Sequence, residues 1–150
     1  NAIKSYQNAL KKDSLLFPAY TNLATALNQT GKNKEALEML TTLIKYYPEN
    51  GRSYYLRALL YFELQNKEEA IKDLKKAIGL DARDSRARYN LATFYYQNID
   101  YPNAEKYIQQ ALTIEPENRD YNYLLALIYR DSGRARKSQE LMQKLNRTNI

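Results

Sequence analysis

Tyrosine recurs at a fixed step of 34 residues, at Tyr55, Tyr89 and Tyr123. A tyrosine side chain joins a rigid apolar ring to a hydroxyl group, and this combination is enriched at recognition surfaces. Arg52 and Arg86 follow the same step, and a guanidinium group can pair with a carboxylate through two hydrogen bonds. These residue types favour non-covalent binding. Packing tyrosines and solvated surface arginines are the alternative interpretation of the same positions.

The composition argues against catalysis. The chain of 150 residues contains no cysteine and no histidine, which excludes disulfides, thiolate metal sites and histidine-based chemistry. Its four glycines are scattered and form no phosphate-binding loop. Acidic pairs such as Glu68-Glu69 have no neighbouring group that would mark them as catalytic. The sequence therefore predicts no active site, no metal site and no cofactor.

The step of 34 residues also relates several columns of small side chains. Two such columns are Ala2, Ala36, Ala70, Ala104 and Ser138, and Ala24, Ala58, Ala92 and Ala126. Small side chains let helices approach each other closely, and a repeat unit buries its apolar face only by stacking on its neighbours. The columns therefore indicate an internal repeat, with one helix contact at each small residue.

Amphipathic runs with apolar residues three or four apart indicate helices on both sides of a turn in each unit. The pattern predicts nine helices, at about 1–12, 19–29, 34–46, 53–64, 67–78, 87–98, 101–114, 120–131 and 134–146. Pro48 and Pro116 follow two of the second helices, where proline prevents the helix from continuing. The elements that must position the tyrosines are therefore the first helices of successive pairs.

One column falls in the turn between the paired helices. It contains Gly31, Gln65, Ile99 and Gly133. Glycine adopts a positive φ at little cost and suits such a reversal. We expect the two turns without glycine to close by other means, with Asn66 and Asp100 supplying local hydrogen bonds.

The pattern resembles the tetratricopeptide repeat family, and the best match is residues 17–50, FPAYTNLATALNQTGKNKEALEMLTTLIKYYPEN. The positions that carry the resemblance are Tyr20, Leu23, Ala24, Gly31, Ala36 and Pro48. Three residues depart from it: Arg57 replaces the leucine of the Leu-small pair, and Arg88 and Asn122 stand where an early aromatic residue is expected. These departures concern local packing rather than architecture.

The resemblance implies an all-α fold, a right-handed α-solenoid superhelix of antiparallel helix pairs. It implies a single domain over residues 1–150. Residues 1–16 would be the second helix of a truncated repeat, residues 17–50, 51–84 and 85–118 complete repeats, and residues 119–150 a C-terminal repeat or cap.

The resemblance also implies that one face of each first helix lines a concave groove that binds peptides or partner helices. Spacings of three and four place these residues on one helix face. The groove residues carried over are Thr21, Asn22, Thr25, Asn28, Arg52, Tyr55, Leu59, Phe62, Arg86, Tyr89, Asn90, Thr93, Tyr96, Gln97, Tyr123, Leu127 and Arg130. Some family members clamp a C-terminal carboxylate with lysines, but Thr21, Tyr55 and Tyr89 occupy the column of the first such lysine, so no such clamp is expected.

The two ends of the chain differ. Residues 119–150 carry seven basic and three acidic side chains, which is most of the net charge of +6. A solvated end cap and a docking site for an acidic partner both explain this excess. At the other end, Ile3, Tyr6 and Leu10 lack a covering helix. We therefore expect further repeats upstream in the parent protein, or pairing of this face with another chain.

The sequence thus predicts a non-enzymatic scaffold that binds a peptide or partner protein in the groove. The alternative is a self-assembly or tethering module of a larger protein, acting through the uncovered first helix as a homo-oligomer contact. Binding of single-stranded RNA is disfavoured, because residues 85–118 carry three basic and four acidic side chains. No apolar run approaches the roughly 20 residues of a membrane helix.

Overall fold

A computed structural model describes residues 17–147 of the chain, and all its regular elements are α-helices. They are α1 (Phe17–Gln29), α2 (Asn33–Tyr46), α3 (Gly51–Glu63), α4 (Lys67–Leu80), α5 (Ser85–Gln97), α6 (Tyr101–Ile114), α7 (Arg119–Asp131) and α8 (Ala135–Arg147). These eight match the predicted helices to within two residues at every end. The helix predicted at about 1–12 lies outside the described residues. The predicted all-α class is confirmed.

The chain forms two compact units, Asn1–Ala82 and Arg83–Ile150. In the described part of each unit, four helices form two antiparallel pairs, α1 with α2 and α3 with α4, then α5 with α6 and α7 with α8. The first unit has a core of Ala24, Ala36, Met39, Leu40, Leu43 and Leu60. The second has a core of Ala92, Ala104, Ile108, Ala111, Tyr121, Leu124, Leu125 and Ile128. The single domain over residues 1–150 stays a prediction.

The small-residue columns lie in these helix contacts. Every described member is buried, and the most exposed of them, Ser138, shows only 6 % of its surface. Ala70 and Ala104 are 0 % exposed. The space at each column is therefore filled by the neighbouring helices, as the spacing predicted, while Ala2 lies outside the described residues.

The four turns between paired helices share one backbone conformation. The φ angles are 82° at Gly31, 64° at Gln65, 62° at Ile99 and 87° at Gly133. In each turn the next residue donates its backbone N–H to the carbonyl five residues before it, at 2.7–2.9 Å. This is the backbone closure that commonly ends a helix at a left-handed residue.

The expectation that the turns at Gln65 and Ile99 close by other means is therefore wrong. The closing bonds join backbone atoms only, so they form whenever the residue accepts the strain of a positive φ. The Asn66 side chain makes no cap hydrogen bond. The Asp100 side chain accepts from the N–H of Asn103 at 3.2 Å, which caps α6 rather than closing the turn.

Side-chain caps explain where three of the first helices begin. Asn50, Asp84 and Asn118 precede α3, α5 and α7, and each accepts a hydrogen bond from a backbone N–H in the first turn of its helix. Asparagine and aspartate are among the best residues for this role. These caps follow the same 34-residue step, so the repeat fixes the helix starts as well as the helix contacts.

Candidate functional site

A recess opens on the first unit between its two first helices, α1 and α3. Its cavity has a volume of about 70 Å³ and is lined by Ala24, Thr25, Asn28, Leu40, Leu56, Leu59 and Leu60. Ala24, Leu40 and Leu60 belong to the buried core and form its floor. Thr25, Asn28 and Leu59, three of the predicted groove residues, stand around it. The structure thus brings them together on one apolar depression.

Asn28 is the polar residue of this recess with hydrogen-bonding capacity left over. Its Nδ2 donates to Glu63 Oε1 at 3.3 Å, which links α1 to the end of α3. Its Oδ1 is buried and accepts no hydrogen bond. Leaving a buried acceptor unpaired costs about 1–3 kcal/mol. The neighbouring Thr25 hydroxyl, in contrast, donates to the carbonyl of Thr21 at 3.0 Å.

The other predicted groove residues of the first unit differ in accessibility. Thr21 is only 2 % exposed, and its hydroxyl donates to the Pro18 carbonyl at 2.8 Å, so it serves its own helix. Asn22 and Arg52 are exposed, whereas Tyr55 and Phe62 are half-buried. The side of α3 that carries Tyr55, Leu59 and Phe62 therefore presents apolar surface that the core does not enclose.

In the second unit, two of the predicted tyrosines have different surroundings. Tyr123 is 51 % exposed, among the most exposed large apolar side chains of the described residues. Tyr89 is half-buried and stacks on the ring of Tyr121, with ring centroids 4.9 Å apart and planes inclined by 28°. Tyr89 therefore also has the packing role that the sequence left open as an alternative.

A polar cluster joins α5 to α7 in the second unit. The Tyr96 hydroxyl donates to Asp131 Oδ2 at 2.5 Å, and Arg130 Nε donates to Asp131 Oδ1 at 2.8 Å. The hydrogen bond to Asp131 raises the pKa of Tyr96. The pKa of Asp131 is lowered, first by the hydrogen bond from Arg130 and then by that from Tyr96. Asp131 is therefore an anion that accepts hydrogen bonds from both Arg130 and Tyr96.

The remaining predicted residues of the second unit surround these features. Arg86 and Gln97 are exposed, and Asn90, Thr93 and Leu127 are half-buried. The Thr93 hydroxyl donates to the backbone carbonyl of Tyr89 at 2.9 Å. The exposed polar side chains among them, Arg86 and Gln97, therefore lie near the two ends of α5.

Sequence reasoning missed the ion pair between Arg57 and Asp73. Arg57 donates from Nε and Nη2 to the two carboxylate oxygens at 2.7 and 2.9 Å, and Asp73 is 4 % exposed. The hydrogen bond to Asp73 raises the pKa of Arg57. The rings of Tyr54 and Tyr61 lie 6.0 and 5.7 Å from the guanidinium carbon. The pair closes the interface between α3 and α4.

A signal for this pair was present in two columns of the repeat. One column is Leu23, Arg57, Leu91 and Leu125, and the other is Met39, Asp73, Tyr107 and Leu141. Both columns change from apolar or aromatic to charged in the same unit, and the changes are of opposite sign. This joint departure indicates a compensating pair within one helix hairpin.

Sequence reasoning also missed a polar cluster at the start of α5. The Ser85 hydroxyl donates to Glu115 Oε2 and lies 3.0 Å from the Tyr121 hydroxyl. Burial raises the pKa of Tyr121, which is 2 % exposed. These contacts link the first residue of α5 to α7 and to Glu115, the residue that follows α6. The cluster therefore positions Tyr121, whose ring stacks on that of Tyr89.

Two general properties of the described part bear on function. None of its helices is both long enough and apolar enough to cross a bilayer. Within residues 17–147, acidic side chains nowhere gather in a group of three that could hold a metal ion.

Helix pairs that repeat every 34 residues, with the same turn in each pair, define a helical-repeat protein. The family model described as "Tetratricopeptide repeat" matches residues 21–85, 65–118 and 89–145. The chain belongs to the tetratricopeptide repeat family. Members of this family generally mediate protein–protein interactions and are typically non-enzymatic scaffolds.

The chain also resembles individual proteins in sequence or in fold. The chain is 31 % identical over 84 residues to the DnaJ homolog subfamily C member 7 homolog of Dictyostelium discoideum, a match that spans 53 % of this chain and 16 % of that protein. The crystal structure of MamA has a TM-score of 0.82 at 22 % identity, covering 99 % of this chain and 86 % of that one. A tetratricopeptide repeat protein from Parabacteroides merdae ATCC 43184 has a TM-score of 0.78 at 25 % identity, covering 96 % and 57 %. PilF of Pseudomonas aeruginosa has a TM-score of 0.77 at 22 % identity, covering 88 % and 60 %.

Proposed function

We propose that this chain is a scaffold that binds a peptide segment of a partner protein on the surface of its first helices. The observation that supports this proposal most is the recess between α1 and α3. There Thr25, Asn28 and Leu59, carried by successive first helices, surround a cavity whose floor is already closed by core side chains. A concave apolar site with a few polar groups is the usual form of a ligand site.

The second unit offers a different kind of contact. Tyr123 presents half of its surface to solvent, and the ionised Asp131 and Arg130 lie at the end of the same helix. An exposed tyrosine supplies a rigid anchor, and polar groups at the edge of a binding surface contribute specificity more than affinity. Each unit therefore offers contacts of its own through its first helices.

A random peptide library displayed on phage and selected against the whole chain tests the proposal. We expect reproducible enrichment of peptides, and affinities measured by fluorescence polarisation that fall about fivefold to tenfold in Leu59→Ala, as for a buried apolar anchor. Leu64→Ala is the matched control, because Leu64 is 43 % exposed and lies beyond the end of α3. Failure to enrich any peptide, or equal losses in the two variants, would count against the proposed surface.

Self-assembly remains the alternative function. It depends on the helix predicted at about 1–12, which lies outside the described residues, so it stays a prediction from the sequence.

A further inference from the structure

We infer that the recess between α1 and α3 is a specificity pocket for an aliphatic side chain that stands next to a lysine or arginine in the bound peptide. This inference rests on the proposed function, since it names the chemistry of the segment that the scaffold binds. Three features of the recess support it: the size and lining of the cavity, the unpaired amide oxygen of Asn28, and the charge of Glu63.

The cavity fits an aliphatic group. Leu56 and Leu59 line it together with the core residues beneath, so its inner surface is mainly apolar, with Thr25 and Asn28 as its polar members. Its volume of about 70 Å³ is about half that of an engineered apolar cavity of about 150 Å³ that holds a benzene molecule. That space suits a few methyl or methylene groups and is small for an aromatic ring. Valine, leucine and isoleucine are therefore the expected anchors.

Asn28 provides the polar complement to that anchor. Its Oδ1 has no hydrogen-bond donor, while its Nδ2 is held by the carboxylate of Glu63 at 3.3 Å. Turning the amide over would bring Oδ1 against that carboxylate, so Nδ2 rather than Oδ1 stays toward Glu63. A rotation of the side chain that exposes Oδ1 would offer it to a backbone N–H of the incoming peptide, and this would remove the cost of the unpaired acceptor.

Glu63 supplies the charge. Its side chain is exposed at the end of α3, next to the recess. Within the described residues, no lysine or arginine forms a salt bridge with it. Its negative charge therefore remains available to a basic residue of the ligand and repels acidic ones, and complementary charge of this kind decides which peptides are accepted.

The test uses the whole chain, a random peptide library and three variants. We expect the unmodified chain to enrich peptides in which Val, Leu or Ile stands within two residues of Lys or Arg. Glu63→Lys should shift the enriched residue from basic to acidic. Glu63→Gln should weaken a selected peptide about twofold to fivefold, as for an exposed ion pair, with a smaller loss at high salt. Glu38→Gln, an exposed carboxylate on α2, is the matched control and should change nothing.

A second comparison isolates the contact. Replacing the basic residue of the selected peptide with glutamine should cost as much as Glu63→Gln, and the two changes together should cost no more than either one. Enriched peptides without an aliphatic–basic pair, or an unaltered selection with Glu63→Lys, would overturn the pocket and leave the proposed function standing. A library that yields no peptide at all would overturn both.

Discussion

Ile99 carries backbone strain that a glycine in the same turn would not carry. It is a β-branched residue with a φ of 62° and 73 % of its surface exposed. The left-handed region costs an L-residue about 1–2 kcal/mol, most for a branched side chain. Ile99→Gly should therefore stabilise the chain by about 0.5–1 kcal/mol, after the greater entropy of glycine in the unfolded state is subtracted. Urea unfolding followed by circular dichroism measures this change.

Two alanine variants separate backbone strain from loss of the side chain. Ile99→Ala removes the exposed isoleucine but keeps an L-residue at positive φ, so it should gain little. Gly133→Ala should cost about 1 kcal/mol, although nothing lies within 4 Å of the added Cβ. A stabilisation by Ile99→Ala equal to that of Ile99→Gly would mean that exposure of isoleucine, not φ, sets the cost.

The pair of Arg57 and Asp73 couples two helices through a buried carboxylate. Arg57→Leu leaves Asp73 unpaired at 4 % exposure, and breaking such a pair typically costs about 3–5 kcal/mol. The double variant Arg57→Leu/Asp73→Leu restores residue types of the other units and should recover most of that loss. A double-mutant cycle by urea unfolding measures the coupling. Additive losses in the cycle would show that the pair does not act as a unit.

At the scale of the helices, most of the architecture could be predicted from the sequence because local signals repeat. Apolar spacing and breakers such as Pro48 placed every described helix end within two residues. The turns at Gln65 and Ile99 could not be explained in advance, because backbone hydrogen bonds outweigh the preference of the residue for negative φ. Two repeat columns indicate the pair of Arg57 and Asp73, but the contact itself depends on the hairpin geometry, since its members are 16 residues apart.

The candidate site was less predictable for the same reason. Spacing placed Thr21 and Thr25 on one helix face, but the structure buries Thr21 and binds both hydroxyls to backbone carbonyls. The free acceptor on Asn28 depends on a contact with Glu63 from another helix pair. Periodicity identifies the helix face, whereas the hydrogen-bonding state of each group depends on neighbours that are distant in sequence.

The small-residue columns lead to a prediction about helix packing. Ala70 and Ala104 are 0 % exposed, on α4 and α6 respectively. Substitution of either with leucine forces extra atoms into a filled contact and should cost about 1–3 kcal/mol. Denaturation midpoints measure the loss, and Ala26→Leu, at an exposed position of α1, should change stability little. Unchanged midpoints for both buried variants would show that these columns are not tight contacts.

At the scale of the whole molecule, the two units divide the predicted tyrosine column. Tyr55 belongs to the first unit, and Tyr89 and Tyr123 belong to the second. Each unit has its own core, so removing ring contacts in one unit should not unfold the other. Substitution of an exposed ring should therefore test binding with little change in stability, whereas substitution of a packed ring should change stability as well.

The triple variant Tyr55→Ala/Tyr89→Ala/Tyr123→Ala tests whether this column binds partners. We expect it to weaken partner capture at least tenfold, since truncating aromatic anchors commonly costs more than 1 kcal/mol each. Tyr123→Ala alone should weaken capture with little change in melting temperature, because the ring is half exposed. Tyr89→Ala should also lower the melting temperature, because it removes the stack on Tyr121. Quantitative pull-down and thermal melting of the same samples distinguish these effects. A folded triple variant that captures every partner with undiminished affinity would place the binding surface elsewhere on the chain.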